Sequence, residues 1–193
     1  YQAVIMLGGM DVLFRKTFES ASPSGFNRSA EIFLRSGRAV VWPTLAHTFE
    51  RNDGQGMLAL LAGGQRTAIL FRRWLMDLGR TVDYLEQRED FDDERIAFYG
   101  LSLGSITGSI ILPAEPRIRT AILQAGGMSL LPPDNQPEVP QAVFIRNLKM
   151  PVLMINGRND FLFPYATQQV PMFELLGAPP EDKRHLVLDG GHA

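Results

Sequence analysis

The sequence predicts an α/β fold in which a mostly parallel β-sheet carries helices on both faces. Short apolar runs alternate along the chain with segments of helical periodicity, as in repeated strand–helix–strand units. The first run, Ala3-Val4-Ile5-Met6-Leu7, is apolar throughout, which is typical of a strand buried on both faces. With 193 residues, 45% of them hydrophobic, the chain is expected to form one domain over residues 1–193. In such a sheet, reactive residues lie where strands end at their carboxyl edge.

The elements that follow the first strand are a helix and a second strand. A helix is expected over residues 25–35, ended by Ser36-Gly37. Residues 38–42 are then expected to form a strand, which Pro43 stops. Three apolar side chains of the helix are expected to pack inward: Ile32, Phe33 and Leu34.

Two stretches lack a clear period. From residue 44 to residue 65, glycines flank the apolar segment 57–61, so we expect a loop or cap that lies outside the core. Residues 127–149 contain four prolines and are expected to form a second cap or insertion, which returns through a short helix near residues 141–147. Both stretches interrupt the alternation of strands and helices without changing the fold class.

An amphipathic helix is the clearest pattern in the middle of the chain. Its apolar residues recur mostly at steps of three and four, with charged residues between them: Phe71, Trp74, Leu75, Leu78, Val82 and Leu85. The remaining elements are expected to be a strand at 95–99, a Gly-Ser turn, a helix up to 112, strands at 120–124 and 151–155, a helix at 166–176 and a strand at 186–188.

Composition excludes several classes of function. The chain has 19 basic and 21 acidic side chains, a formal net charge of −2, and so lacks the basic excess that binding to nucleic acid requires. It has no cysteine, which excludes a disulfide scaffold, thiolate metal sites and a cysteine nucleophile, but does not identify a compartment. Residues 96–114 carry no charge, yet their glycines and hydroxyl side chains favour strand, turn and helix over a membrane span.

The sharpest motif is Gly100-Leu101-Ser102-Leu103-Gly104, which lies between an expected strand and an expected helix. A nucleophilic serine must stand exposed on a tight turn, and glycines two residues to either side remove side chains that would clash there. The alternative is a glycine-rich loop with a capping serine. The strand before the motif and the helix after it favour Ser102 as a nucleophile.

A serine nucleophile needs a base and a group that orients the base. Of three histidines, His192 follows the last strand and reaches its carboxyl end, whereas His47 lies in an irregular segment and His185 is expected to pack at a strand edge. Asp160 follows the strand at 151–155, so it is the expected orienting acid. Asp189 competes for that role, but it is only three residues from His192, which makes a facing hydrogen bond harder to build.

Backbone donors are needed where negative charge develops on the attacked carbonyl oxygen. The turn after the first strand, Gly8-Gly9-Met10, exposes backbone at the same edge of the sheet, so we expect the N–H groups of Met10 and Leu103 to form the oxyanion hole. A plain tight turn at Gly8-Gly9 is the alternative. Aromatic side chains near strand ends are candidates for the substrate pocket, although such residues often belong to the core: Trp42, Phe161 and Phe163.

The order serine, acid, histidine, each after a strand, resembles the α/β-hydrolase fold. Within that superfamily, Asn156-Gly157-Arg158-Asn159-Asp160 and Gly190-Gly191-His192 resemble the dienelactone hydrolase, acetyl xylan esterase and prolyl oligopeptidase branch. Residues 82–86 and 171–177 resemble hydrolase domains attached to bacterial serine/threonine kinase-like proteins.

The chain departs from this family in two respects. The family usually has two strands before Ala3 and a helix after His192, so the chain is expected to be a piece of a longer protein that carries a further domain. Many relatives also have histidine or proline before the glycine of the oxyanion turn, where this chain has Leu7.

The expected function is a serine hydrolase that cleaves a small carboxylic ester through an acyl-enzyme, with no metal or organic cofactor. A prolyl oligopeptidase-like peptidase is the nearest alternative, because it would use the same triad. A non-catalytic hydrolase-fold domain for binding or regulation is the alternative from another class, and the Leu7-Gly8-Gly9 turn motivates it.

Overall fold

The computed structural model describes residues 1–17, 25–128 and 141–192. Within these residues, six strands form a single parallel sheet in the order β2-β1-β3-β4-β5-β6. The strands are β1 Ala3–Leu7, β2 Ala39–Val41, β3 Ile96–Leu101, β4 Ile118–Gln124, β5 Val152–Gly157 and β6 Lys183–Leu188. The predicted fold class is confirmed.

Helices connect the strands and cover the sheet. They are α1 Gly25–Arg35, α2 Gln55–Ala62, α3 Gly64–Glu86, α4 Leu103–Ile111, α5 Gln141–Ile145 and α6 Val170–Leu175. Short 3-10 turns lie at Met10–Leu13, Phe49–Arg51, Asp93–Arg95, Leu112–Ala114 and Pro180–Asp182, and a π-helical turn spans Tyr165–Gln169.

The alternation of side chains along β1 divides the core between the two faces of the sheet. All five residues of this strand are buried. Ile5 and Leu7 belong to the main core, which also contains buried residues of α3 and α4. Val4 and Met6 face the opposite side, where Phe33 of α1 packs against their cluster. Successive strand residues point to opposite faces, so helices on both sides give a continuously apolar strand.

Of the three side chains of α1 that were expected to pack inward, Phe33 does so, and Ile32 and Leu34 do not. The ring of Phe33 packs edge-on against Tyr99, with 5.6 Å between the ring centroids. Ile32 is 67% exposed and Leu34 is 58% exposed. Consecutive helical residues are rotated by about 100°, so a helix that packs through one stripe cannot bury three neighbours in a row.

The expectation that residues 44–65 lie outside the core is wrong. Leu45, Phe49 and Leu60 are buried in the main core, and the indole N–H of Trp74 donates to the carbonyl of Ala46 at 2.8 Å. Gly54 and Gly63 flank α2 and both have positive φ angles, so they mark the ends of a helix. Whether this segment caps a site stays a prediction.

Two further expectations concern α3 and the second insertion. α3 begins at Gly64, seven residues before the expected start, and buries every predicted apolar position except Leu75, which is half-buried. Of the second insertion, residues 129–140 lie outside the described residues, and α5 occupies the expected short helix.

Among the described residues, no helix has both the length and the apolar character needed to cross a membrane. The uncharged stretch 96–114 consists mainly of β3 and α4.

Candidate active site

Ser102 lies on a sharp turn between β3 and α4. Its φ of 53° and ψ of −109° are unusual for a residue with a side chain. Such a conformation costs about 1–3 kcal/mol and persists only where the surroundings impose it. The N–H of Ser102 donates to the carbonyl of Gln124 at 2.9 Å, so the neighbouring strand β4 holds the turn.

The two glycines of the motif allow three backbone segments to meet. A Cβ at Gly104 would overlap the carbonyl oxygens of Leu7 and Gly8, and a Cβ at Gly100 would overlap the backbone of Gly104. Because both are glycine, α4 starts directly against the end of β1. The N–H of Gly104 donates to the carbonyl of Gly8 at 3.0 Å, which ties the serine turn to the Gly8-Gly9 turn.

His192 lies between Ser102 and Asp160. Its Nε2 is 3.0 Å from Oγ of Ser102, and its Nδ1 is 2.8 Å from Oδ2 of Asp160. An ionised carboxylate can only accept, so we assign the ring proton to Nδ1. Nε2 is then unprotonated, and it accepts a hydrogen bond from the hydroxyl group of Ser102.

Asp160 is buried in the loop after β5, and its side chain has no exposed area. Oδ1 accepts the N–H groups of Leu162 at 2.8 Å and Phe163 at 2.9 Å, which leaves Oδ2 for His192. Asp189, the competing acid, is exposed. The structure therefore brings together Ser102, His192 and Asp160, each from the loop after a different strand.

The two expected oxyanion donors begin the short helices that follow β1 and Ser102. Met10 begins the 3-10 turn after β1 and Leu103 begins α4, so neither N–H has a partner within its own helix. A Cβ built on Gly9 would lie 3.7 Å from Cβ of Ser102, which shows how closely the two turns approach.

The three expected pocket residues occupy different environments. Phe161 is 78% exposed and lies edge-on to His192, with 6.3 Å between ring centroids. Phe163 is buried beneath the same imidazole at 5.7 Å, where it supports the ring rather than facing solvent. Trp42 lines a small apolar cavity of about 20 Å³ beside Gly8 and Leu103. Phe161 is the aromatic side chain of the three that is open to a ligand.

Sequence reasoning missed Gln169, which holds the loop of the acid. Its side chain is buried, and Nε2 donates to the carbonyls of Gly157 and Phe163, both at 2.8 Å. A single glutamine in a helical segment carries no sequence signal for such a role. His185 lies in β6, where its Nε2 donates to Oδ1 of Asn156 at 3.0 Å and its ring stacks on Phe173 of α6.

Both ring nitrogens of His47 bond to groups other than Ser102. Its Nδ1 is 2.7 Å from Oδ1 of Asp53, and its Nε2 is 2.8 Å from the guanidinium of Arg73. In the described part of the chain, no three or more His, Cys, Asp or Glu residues form a group that could hold a metal ion.

Comparison with known proteins rests on structure alone, because no family model and no curated protein matches this chain. Acetyl xylan esterase 1 from a Thermoanaerobacterium species is 16% identical, has a TM-score of 0.67 and is matched over 100% of this chain and 70% of its own. A Klebsiella pneumoniae structure described as a dienelactone hydrolase is 19% identical and has a TM-score of 0.70. The match covers 100% of this chain and 75% of that one. A cold-adapted esterase from an Arctic intertidal metagenomic library is 18% identical and has a TM-score of 0.68. The match covers 100% of this chain and 74% of that one.

The chain has the α/β-hydrolase fold. The predicted resemblance to this fold is confirmed, and the similar structures include two of the classes named from the sequence motifs, an acetyl xylan esterase and a dienelactone hydrolase. The resemblance to kinase-attached domains stays a prediction. In this α/β-hydrolase fold, Ser102 follows β3, Asp160 follows β5 and His192 follows β6, so the parallel sheet presents all three at one edge.

Proposed function

We propose that the protein is a serine hydrolase that cleaves small carboxylic esters, with Ser102 as nucleophile, His192 as base and Asp160 as orienting acid. The observation that supports this proposal is the continuous chain of hydrogen bonds from Oγ of Ser102 through both ring nitrogens of His192 to Oδ2 of Asp160. The same arrangement serves acyl transfer on several unrelated folds.

In the first half of the proposed reaction, Oγ of Ser102 attacks the acyl carbon while its proton moves to Nε2 of His192. The imidazolium that forms is stabilised by the buried carboxylate of Asp160 at 2.8 Å. The N–H groups of Met10 and Leu103 would donate to the oxyanion, and each such donor is worth about 3 kcal/mol of barrier. His192 then gives its proton to the leaving alcohol, and the ester bond breaks to leave an acyl-serine.

In the second half, His192 takes a proton from a water molecule, and the hydroxide attacks the acyl-serine. The tetrahedral intermediate collapses, His192 returns the proton to Oγ of Ser102, and a carboxylic acid leaves. These steps balance without a metal or an organic cofactor. Phe161 is exposed beside His192, the proton donor, and would contact the alcohol side of the ester.

Hydrolysis of p-nitrophenyl acetate, butyrate and octanoate by the full-length protein tests the proposal. We expect Ser102→Ala to abolish turnover and to prevent labelling by a fluorophosphonate. Ser105→Ala is the matched control, because Ser105 is a buried serine about one turn after Ser102 whose hydroxyl has no hydrogen-bond partner among the described residues. We expect the control to retain turnover and labelling.

Other outcomes lead to different conclusions. Equal, negligible ester hydrolysis by all three proteins, with no labelling of Ser102, would contradict the proposal and favour a binding domain. Labelling of Ser102 together with faster cleavage of a proline p-nitroanilide than of any ester would favour a peptidase with the same triad.

A further inference from the structure

A second cluster of charged residues lies outside the Ser102 site, around His47. The backbone of His47 has a φ of 64°, and Phe49, two residues later, has a φ of 46°. Two non-glycine residues in the left-handed region within three positions are unusual, and such strain is often found at ligand clamps. The segment 45–49 is fixed from inside, because Leu45 and Phe49 are buried in the main core.

The hydrogen bonds of His47 define its protonation. A guanidinium can only donate, so Nε2 accepts from Arg73 at 2.8 Å. Nδ1 therefore carries the proton and donates to Oδ1 of Asp53 at 2.7 Å. The same oxygen accepts the N–H of Gln55 at 3.0 Å. His47 is thus a neutral ring that holds Arg73 in place.

The cluster forms one wall of a groove between α2 and α3, which we call the His47 groove. Its volume is about 350 Å³, within the range of small-molecule sites. It is lined by His47, Asp53, Arg66 and Arg73, with Leu58 and Ile69 as apolar walls. Leu58 is 56% exposed and Ile69 is 46% exposed, so apolar surface faces the groove's opening.

The charges in this groove do not balance. Within residues 1–17, 25–128 and 141–192, neither Arg66 nor Arg73 forms an ion pair with a carboxylate. Arg51 nearby differs, because it pairs with Asp77 at 2.9 Å. Two arginines against the single carboxylate of Asp53 leave an excess of one positive charge in the His47 groove.

We propose that the His47 groove binds a small organic monoanion, a carboxylate that carries a short aliphatic chain. A guanidinium donates two parallel hydrogen bonds to a carboxylate, and both arginines line the same groove, so the head group would lie between them. The chain would then lie against Leu58 and Ile69. One net positive charge complements a monoanion, and exposed apolar walls complement the chain. This proposal does not depend on the proposed function, because the site does not use Ser102.

Calorimetric titration of the full-length protein with hexanoate tests this site. We expect hexanoate to bind. We expect Arg66→Gln and Arg73→Gln each to raise the Kd for hexanoate about tenfold, since each removes one charge-assisted contact. Arg72→Gln is the matched control, because Arg72 is exposed on the same helix beside Arg73 and does not line the groove. Arg66 is exposed and forms no ion pair with any residue that the structure describes, so we expect its variant to keep the fold while binding is measured.

Two further probes separate the parts of the proposal. Hexan-1-ol, which lacks the charge, should bind far more weakly than hexanoate. Acetate should also bind more weakly, because each buried methylene is worth about three- to fourfold in affinity. The proposal is wrong if hexanoate does not bind, if all three arginine variants bind it as wild type does, or if inorganic phosphate or hexan-1-ol binds equally well.

Discussion

The His192–Asp160 pair and the His47–Asp53 pair each contain a hydrogen bond between Nδ1 of the histidine and the carboxylate. The two pairs differ in the group that faces Nε2 of the histidine. Nδ1 lies 2.8 Å from the carboxylate in the first pair and 2.7 Å in the second. Nε2 of His192 faces the hydroxyl of Ser102, whereas Nε2 of His47 accepts from Arg73. A lone pair that already accepts from a cation cannot take a proton from a nucleophile. A histidine–aspartate pair is therefore a potential base only where Nε2 faces a proton it can accept.

The two carboxylates also differ in burial. The side chain of Asp160 has no exposed area, whereas that of Asp53 is 55% exposed. At Asp53, the backbone N–H of Gln55 and then the hydrogen bond from His47 lower the pKa below its usual value. A buried carboxylate acts on its partner through a low dielectric, but solvent screens an exposed one. Of the two pairs, the first has the buried carboxylate that the proposed reaction would need to stabilise an imidazolium.

The largest effect is expected for His192→Gln, which removes the proposed base. We expect kcat for p-nitrophenyl butyrate to fall by about 10⁶-fold, since glutamine cannot accept the serine proton. His185→Gln at pH 7.5 is the matched control, because His185 contacts Asn156 and not Ser102. A loss of the same size in both variants would mean that the effect is structural.

A smaller loss is expected for Asp160→Asn. Two backbone N–H groups donate to Oδ1, so the asparagine oxygen would take that position and its NH₂ group would face Nδ1 of His192. The ring would then carry its proton on Nε2 and could not accept from Ser102. We expect kcat for the same ester to fall by about 10⁴-fold, measured by steady-state kinetics. Unchanged kcat would show that Asp160 does not set the tautomer.

The same substitution at Asp53 is expected to act in the opposite way. Here Oδ1 accepts from both Gln55 and His47, so an asparagine oxygen keeps both bonds and the tautomer is retained. The loss of one negative charge should tighten hexanoate binding by about threefold at low salt, and less at high salt. Asp182→Asn, an exposed aspartate outside the groove, is the control. Weaker binding by Asp53→Asn would contradict the charge argument for the groove.

The smallest effect concerns His185, whose ring bonds to the amide of Asn156 and to no carboxylate in the part of the chain that the structure describes. Burial lowers its pKa below the usual 6.5. Between its folded-state pKa and 6.5, the unfolded chain binds more protons, so the free energy of unfolding should decrease as pH falls below about 6.5 and should be unaffected by this group above it. Urea unfolding at pH 7.5 and 5.5 should show a smaller decrease for His185→Gln than for wild type. Equal decreases would mean that other groups control this dependence.

Local patterns in the sequence predicted much of the fold and the position of the candidate site. The apolar run of β1, the periodicity of α3 and the Gly100–Gly104 motif each report on neighbouring residues, and each predicted element is present. The order of Ser102, Asp160 and His192 after strands was sufficient to expect them at one edge, because parallel strands end on the same side.

Other features depend on contacts between segments that are distant in the sequence. The burial of Leu45 and Phe49 results from packing in the main core. The support of the acid loop by Gln169 requires a fold that brings the π-helical turn before α6 close to the end of β5. The pairing of His47 with Arg73 joins residues 26 positions apart.

The sequence by itself determined which residue types could act and which strand each one followed, because hydrophobic period and turn glycines are local properties. Only the tertiary structure decided which group faces Nε2 of each histidine. That choice depends on where separate loops meet, and it distinguishes the candidate catalytic histidine His192 from His47, which holds an arginine in place.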